Sequence, residues 1–288
     1  MIRYGTPHIH SEICCLVDQQ CQVSLFHSIK PKVLSMDADP SNQVASEYRI
    51  LIGDQIKYII LDPGTLDGEI LSFPPDLFNH LPQLPPGDWT RAHIFRQPRR
   101  IIVEPSNVTL KGVTTRWHQN VVDIRSLLVE KRLSMRVNVV KYHSKSVVAK
   151  IARFEFEVPQ VETETAIYRV IDGHGIGPTF LGHLIEHNRV IGFLIERMDG
   201  HYAGIADLGT CQDAVERLHS LGIVHGDLNR HNFIVSPSGA TLIDFENAGM
   251  NGSQDAMQKE FTQLTEQLTE ESGRGGGYIR ESDNDDIH

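Results

Sequence analysis

Three polar side chains in the C-terminal third of the chain could together carry out phosphoryl transfer. Segment 225–232 (HGDLNRHN) holds Asp227 and, five residues later, Asn232, and Asp244 follows after a predicted strand, a turn and a second strand. An aspartate can accept the proton of an attacking hydroxyl, while an amide oxygen and a second carboxylate are hard ligands that suit Mg²⁺. The set therefore predicts transfer of a phosphoryl group from a nucleotide to a hydroxyl.

A predicted hairpin brings two of these side chains together. Residues 233–235 (FIV) and 240–243 (ATLI) are typical of strands, and the Ser-Pro-Ser-Gly stretch between them is typical of a turn. This hairpin places Asn232 just before its first strand and Asp244 at the end of its second. We therefore expect both side chains at one edge of a small ribbon.

Lys150 is the candidate cation for the phosphates. It lies within an otherwise apolar predicted strand, residues 146–152 (SVVAKIA). Burying an ammonium group without a partner costs far more than a strand gains, so an anionic partner is expected. A helix is predicted from Pro159 onward, and Glu164 on this helix is the first choice of partner, with Glu162 as the alternative.

The chain before residue 118 is typical of β-structure and loops. Residues 47–52 and 55–61 predict a hairpin that turns at Gly53 and Asp54, with further strands at 23–29 and 100–104. Five of the 14 prolines fall in residues 73–89, which we expect to form a stiff connector without regular structure, outside any core. We expect Trp89 and Trp117 to pack at the ends of this region rather than to stack on a ligand.

After residue 118, groups of two or three predicted strands are separated by helices. The glycine-rich stretch 173–178 follows a predicted helix and precedes a strand, so it predicts a turn rather than a phosphate cradle. The acidic, glycine-rich end of the chain predicts disorder over residues 271–288. The other expected elements are strands at 123–129, 136–142, 180–184 and 190–195, and helices at 213–221 and 254–268.

Composition narrows the classes of partner. The chain has 288 residues, of which 40% are hydrophobic, and a formal net charge of −10, which argues against nucleic acid or a membrane as a partner. It shows no apolar signal segment and no run long enough to cross a membrane. Cys14, Cys15 and Cys21 do not form a disulfide framework, so we expect reduced thiols. These features predict a cytoplasmic location, with the nucleus as the alternative.

Residues 121–268 resemble the protein-kinase-like superfamily. The resemblance rests on VVAK ending at Lys150, HGDLNRHN with Asp227 and Asn232, and IDFE with Asp244. It implies ATP in a cleft between two lobes, with Lys150 and Glu164 at the phosphates and the adenine against the backbone near Glu196 and Met198. It also implies that Asp227 is the catalytic base, assisted by Lys150 and Asn232, and that Asn232 and Asp244 bind Mg²⁺.

The motifs also depart from those of regulated protein kinases. Gly226 replaces the arginine that docks a phosphorylated activation loop, which argues against control by that route. Asn229 replaces a lysine of Ser/Thr kinases, Glu246 replaces the glycine of DFG, and no GxGxxG motif lies between Asp123 and Tyr142. HGDL with DFE is closer to the aminoglycoside and choline phosphotransferases or to minimal atypical kinases. The PPGDW stretch ending at Trp89 also resembles kinase-like proteins of filamentous fungi.

The predicted architecture is therefore α+β and two-lobed. We expect a β-rich extension over residues 1–118 and a kinase-like domain over 119–270, with a small antiparallel β N-lobe plus a helix (about 119–197) and a truncated, mainly helical C-lobe (about 200–270). The predicted activity is ATP- and Mg²⁺-dependent phosphorylation of a protein serine or threonine or of a small hydroxyl compound. The alternative is a pseudokinase, which binds nucleotide or acts as a scaffold without turnover.

Overall fold

The computed structural model describes residues 30–270, which form a mixed α+β fold. The predicted strand at 23–29, the three N-terminal cysteines and the predicted disordered tail lie outside these residues. The strands are β1 (Lys32–Asp37), β2 (Ser46–Ile52), β3 (Gln55–Leu61), β4 (Arg91–Gln97), β5 (Arg100–Ser106), β6 (Val121–Asp123), β7 (Leu128–Arg132), β8 (Val137–Tyr142), β9 (Lys145–Ile151), β10 (Phe180–Glu186), β11 (Arg189–Ile195), β12 (His201–Tyr202), β13 (Ile223–Val224), β14 (Phe233–Ser236), β15 (Gly239–Leu242) and β16 (Gly249–Met250). The helices are α1 (Gly68–Ser72), α2 (Pro74–His80), α3 (Val158–Ile171), α4 (Leu208–Ser220) and α5 (Gln254–Thr269).

The first sheet contains β1 to β5 in sequence order. The predicted hairpin is confirmed, since β2 pairs with β3 along its whole length around the turn at Gly53 and Asp54. β3 and β4 run parallel, so the chain must cross over between them. Residues 62–90 make this crossover and carry α1 and α2.

The prediction that the proline-rich segment lacks regular structure and a core was wrong. Pro74 and Pro75 occupy the first turn of α2, where a missing N–H costs nothing because that group has no partner within the helix. Leu77 and Trp89 are buried in the hydrophobic core of the first sheet. The indole N–H of Trp89 donates to the carbonyl of Pro85 at 2.8 Å, so this tryptophan packs as expected.

The second sheet has six strands in the order β6-β10-β11-β9-β8-β7. The predicted strand 123–129 is divided into β6 and β7, which lie at opposite edges of the sheet and are separated by a short 3₁₀ turn. Central strand β9 pairs with β8 and β11, and Lys150 lies opposite Val137 and Phe193. α3 packs on this sheet and begins at Val158, with Pro159 in its first turn as predicted.

A buried polar cluster joins the two sheets at Glu186, the last residue of β10. Its carboxylate accepts from Arg49 Nε at 2.9 Å and from the Tyr58 hydroxyl at 2.5 Å, both on the first sheet. Arg189 Nη2 lies 3.2 Å from the same carboxylate. Burial alone would raise the pKa of Glu186, but Arg49 and the Tyr58 hydrogen bond hold it below its usual value. The first sheet is therefore fixed to the second by a fully partnered buried charge.

The remaining chain packs helices against two small sheets, β12-β14-β15 and β13-β16. β14 and β15 form the predicted hairpin. α4 begins at Leu208, five residues earlier than predicted, and α5 matches its predicted span to within one residue. Within residues 30–270, no helix is both long enough and apolar enough to span a membrane.

His183 holds segment 117–120 on the second sheet only in its neutral form, so the stability of the fold is expected to decrease as the pH drops below 6.5. His183 is fully buried on β10, and its Nε2 accepts from the backbone N–H groups of Trp117 and His118 at 3.1 and 3.2 Å. Burial and the neighbouring His118 and Arg116 lower the pKa of His183 to about 4. The unfolded chain takes up this proton near pH 6.5, so stability is complete above that pH and falls as the pH drops toward 4.

We expect the free energy of unfolding to fall by roughly 1–2 kcal/mol through this group between pH 7 and pH 5. Urea unfolding at both pH values, with His183→Gln as the control, measures the effect. The glutamine oxygen can accept the same bonds without titrating, so its loss over this range should be smaller than that of the wild type. An equal loss in both proteins would show that other groups cause the pH dependence.

Candidate active site

The loop that carries Asp227 follows α4 and is held by α5. The carboxylate of Glu260 on α5 accepts from the backbone N–H of His225 at 3.1 Å and of Gly226 at 2.8 Å, and it also contacts His219 Nε2 at 2.7 Å. Burial would raise the pKa of Glu260, but the His219 and backbone hydrogen bonds hold it below its usual value. An ionised Glu260 therefore fixes the backbone just before Asp227.

Gly226 is required by the geometry of this loop. It has φ = 81°, and a Cβ atom at this position would lie 2.2 Å from the carbonyl oxygen of Asn247. Real Cβ contacts are never this close, and the backbone oxygen has no freedom to move aside as a flexible side chain would. The glycine in place of the family's arginine is thus explained by the close approach of residue 247.

Asp227 and Asn232 are brought together by a direct hydrogen bond. Asn232 is 4% exposed, and its Nδ2 donates to the backbone carbonyl of Asp227 at 2.8 Å. Asn229 Nδ2 donates to the same carbonyl at 3.2 Å, and its Oδ1 accepts from His231 N. Because the Asn232 amide uses its nitrogen for this bond, its oxygen is left for another ligand.

Asp244 lies at the end of the β14-β15 hairpin, as the sequence predicted. Ile243 N donates to the carbonyl of Asn232 at 3.0 Å, and buried His225 bonds the carbonyl of Ile243 through Nε2 at 3.0 Å. These contacts link the Asp227 loop to Asp244. Asp244 itself has φ = 66°, a left-handed conformation that is uncommon for a residue other than glycine and recurs at functional sites.

Phe245 anchors the residue after Asp244 in the core. Its side chain is fully buried between Tyr168 on α3 and His225, with ring centroids 5.4 and 5.2 Å away. Phe245 N also donates to Glu164 Oε1 at 3.3 Å. α3 and the Asp244 segment are therefore held together by one aromatic cluster.

Lys150 lies at the centre of a buried charge cluster. Its Nζ is 2.6 Å from Glu164 Oε2, 2.5 Å from Asp244 Oδ1 and 3.1 Å from Glu246 Oε2. The predicted pairing with Glu164 is present, whereas the alternative partner, Glu162, instead accepts from Thr114 and Thr115. The carboxylates of Glu164, Asp244 and Glu246 offer oxygens that all lie within 4.8 Å of one another.

Within this cluster Lys150 and Asp244 stabilise each other's charged forms, whereas burial, together with Asp244 and Glu246, holds the pKa of Glu164 above its usual value. Burial alone would lower the pKa of Lys150, but Glu164, Asp244 and Glu246 raise it above its ordinary value. Burial would raise the pKa of Asp244, yet Lys150, with His225 and Arg136, lowers it. Lys150 is therefore protonated and Asp244 ionised at neutral pH, which are the states needed to hold phosphate and a divalent cation.

Among the described residues, no hydrogen bond or ion pair joins Glu196 or Met198 to this cluster. They lie on the segment that leaves β11, the strand that pairs with β9 beside Lys150. Glu196 is exposed, its backbone N–H donates to Thr179 O at 2.9 Å, and its side chain accepts from the Thr179 hydroxyl at 2.8 Å. Their assignment to the adenine stays a prediction.

The comparison with known families adds one result. Residues 202–278 match the lipopolysaccharide kinase (Kdo/WaaP) family. This family belongs to the protein-kinase-like superfamily, so the resemblance to that superfamily is confirmed. The match indicates a kinase-type phosphotransferase and covers Asp227, Asn232 and Asp244, but it does not extend to Lys150 or Glu164. No curated protein matched the chain.

Sequence reasoning missed three residues of the site. Glu246 was interpreted only as a departure from DFG, yet it contacts both Lys150 and Arg136. Arg136 lies between Asp123 and Tyr142, a segment whose one notable sequence feature is that it lacks a GxGxxG motif. Glu260 carries no sequence signal, because a glutamate on an amphipathic helix is usually a solvated residue.

Proposed function

We propose that this protein is an ATP- and Mg²⁺-dependent phosphotransferase of two-lobed, kinase-like architecture. The observation that carries the proposal is the position of Lys150, whose buried ammonium touches both Glu164 on α3 and Asp244 from the distant hairpin. A strand lysine in contact with a helix glutamate and with a loop aspartate is what a kinase-like phosphate site requires. The family match over residues 202–278 supports the same reaction class independently.

In this proposal the second sheet with α3 is the N-lobe, and the chain from about residue 200 is the C-lobe. Segment 196–198 connects them, and its backbone is the proposed contact for the adenine. Phosphates would lie near Lys150, which Glu164 holds in place from α3. The division between extension and kinase-like domain near residue 118 is part of the same proposal.

The remaining roles follow from donor chemistry. Asp227 would orient the acceptor hydroxyl and receive its proton, since its backbone is fixed by Asn232 and Asn229. Asn232 and Asp244 would hold Mg²⁺, because an amide oxygen and a carboxylate are hard ligands of the kind it prefers. A bound Mg²⁺ would neutralise charge on the transferred phosphoryl group.

The proposal is tested by ADP formation and by thermal stabilisation with ATP and Mg²⁺. Wild type should form ADP and melt at a higher temperature, while Asp227→Ala should lose roughly a thousandfold in turnover, within the range of general-base effects. Asp244→Ala should lose turnover as well, together with Mg²⁺-dependent stabilisation. Asp213→Ala, which removes an exposed carboxylate on α4, is the matched control and should behave as wild type.

The rival function is nucleotide binding without turnover. Contact of Glu246 with Lys150 favours it, since this carboxylate lies where a phosphate would be needed. Stabilisation by ATP without ADP formation from any acceptor would establish the rival, and no response to ATP at all would contradict both functions. Saccharides are the first acceptors to test, because the matched family is one of lipopolysaccharide kinases, and Ser/Thr peptides are the second.

A further inference from the structure

The turn between β7 and β8 lies beside the charge cluster, but most of its backbone N–H groups are already used in hydrogen bonds within the turn. Residues 133–136 (LSMR) contain no glycine. The N–H groups of Leu133 and Ser134 both donate to the carbonyl of Val137, at 2.9 and 3.0 Å. Arg136 N donates to the Ser134 hydroxyl at 3.4 Å. Three of the four N–H groups in this turn are therefore already used within it.

Arg136 reaches from this turn into the cluster. Its carbonyl accepts from Ile151 N at 3.0 Å, which fixes its backbone beside Lys150. Its Nη2 donates to Glu246 Oε2 at 2.6 Å, and the two side chains are 22% and 20% exposed. An arginine at this position presents a planar array of donors that suits phosphate oxygens.

Glu246 occupies the space between two cations. The same oxygen, Oε2, lies 2.6 Å from Arg136 and 3.1 Å from Lys150. One anionic oxygen held by a guanidinium and an ammonium is the arrangement that a nucleotide phosphate oxygen would adopt. Glu164 still pairs with Lys150 after Glu246 is displaced, so the buried ammonium of Lys150 keeps an anionic partner.

We infer that Arg136 and Lys150 form a two-cation phosphate subsite and that Glu246 is its internal occupant, which nucleotide phosphate must displace. This inference rests on the proposed nucleotide binding at the same site. The Arg136 guanidinium takes the place of the backbone N–H groups with which a glycine-rich turn would bind phosphate. Glu246 competes with the nucleotide, so the site discriminates among nucleosides by their number of phosphates.

Binding of ATP, ADP and adenosine, measured by calorimetry with Mg²⁺ and again with EDTA, tests this arrangement. Arg136→Gln should weaken ATP binding roughly tenfold, and Glu246→Gln should strengthen it severalfold because the competing charge is removed. Arg136→Lys keeps the positive charge but loses the planar array of donors, so its loss of affinity should be smaller than that of Arg136→Gln. Adenosine should bind all variants alike, and Lys131→Gln, which removes an exposed cation on β7, should match wild type with every ligand.

Opposite effects of the Arg136 and Glu246 variants support the subsite. Stronger ATP binding in both variants would show that their ion pair merely closes the cleft, which overturns the role of Arg136. Weaker binding by Glu246→Gln with Mg²⁺ but not with EDTA would make Glu246 a metal ligand and overturn its role as competitor. Unchanged affinities in both variants would contradict the inference alone, whereas a wild type that binds no ATP would contradict the proposed function beneath it.

Discussion

Replacing Lys150 with methionine is expected to lower the free energy of unfolding by about 3–5 kcal/mol, the cost typical of removing one partner from a buried ion pair. Glu164 is 1% exposed and would lose its cation while remaining close to Asp244 and Glu246. Three carboxylates within 4.8 Å of one another repel unless one of them takes up a proton. Nucleotide binding should be lost in the same variant.

A second substitution separates stability from binding. The double variant Lys150→Met with Glu164→Gln removes the stranded charge, so it should recover most of the lost stability while remaining unable to bind ATP. Lys145→Met, at the exposed start of the same strand, is the matched control and should be close to wild type in both measurements. Urea unfolding and calorimetric titration with ATP supply the two readouts. A single Lys150 variant as stable as wild type would show that the carboxylates do not depend on this ammonium.

The parts of the site visible in the sequence are those with an energetic reason to be unusual. A lysine in the apolar strand around residue 150 requires a buried anion, and the helix beginning near Pro159 could supply only a few candidates. Asn232 and Asp244 were positioned by a hairpin whose turn residues are unambiguous. Such features can be predicted because their cause lies in the neighbouring residues of the chain. The structure contains both the β14-β15 hairpin and the Lys150–Glu164 ion pair.

Contacts between distant segments could not be predicted in the same way. Arg136 and Glu246 are 110 residues apart, and neither breaks a local rule that would have revealed its partner. The prediction that the proline-rich segment lacks regular structure was wrong for a related reason. Pro74 and Pro75 were interpreted as breaking regular structure, but at the start of a helix proline is well tolerated, and the buried Leu77 determined the outcome.

Gly226→Ala is expected to cost about 3 kcal/mol of stability, which combines left-handed backbone strain with a steric clash. Gly226 has φ = 81°, and its new Cβ would lie 2.2 Å from Asn247 O. The loop would have to shift, and Asp227 is the next residue. Turnover should therefore fall with stability, and Gly226→Arg, which restores the residue typical of regulated kinases, should be worse still.

Gly222→Ala provides a matched control for this effect. Gly222 has a similar φ of 75°, but a Cβ atom there would have no neighbour within 4 Å. Gly222→Ala should lower the free energy of unfolding by only about 1 kcal/mol, the strain of a left-handed residue without a clash, and should leave ATP turnover unchanged. Urea unfolding of wild type, Gly226→Ala and Gly222→Ala gives the comparison. Equal losses of stability in the two variants would mean that Asn247 moves aside without cost. A larger cost at Gly226 would instead show that the glycine before Asp227 is kept by packing against residue 247, because no side chain fits between that loop and the segment after Asp244.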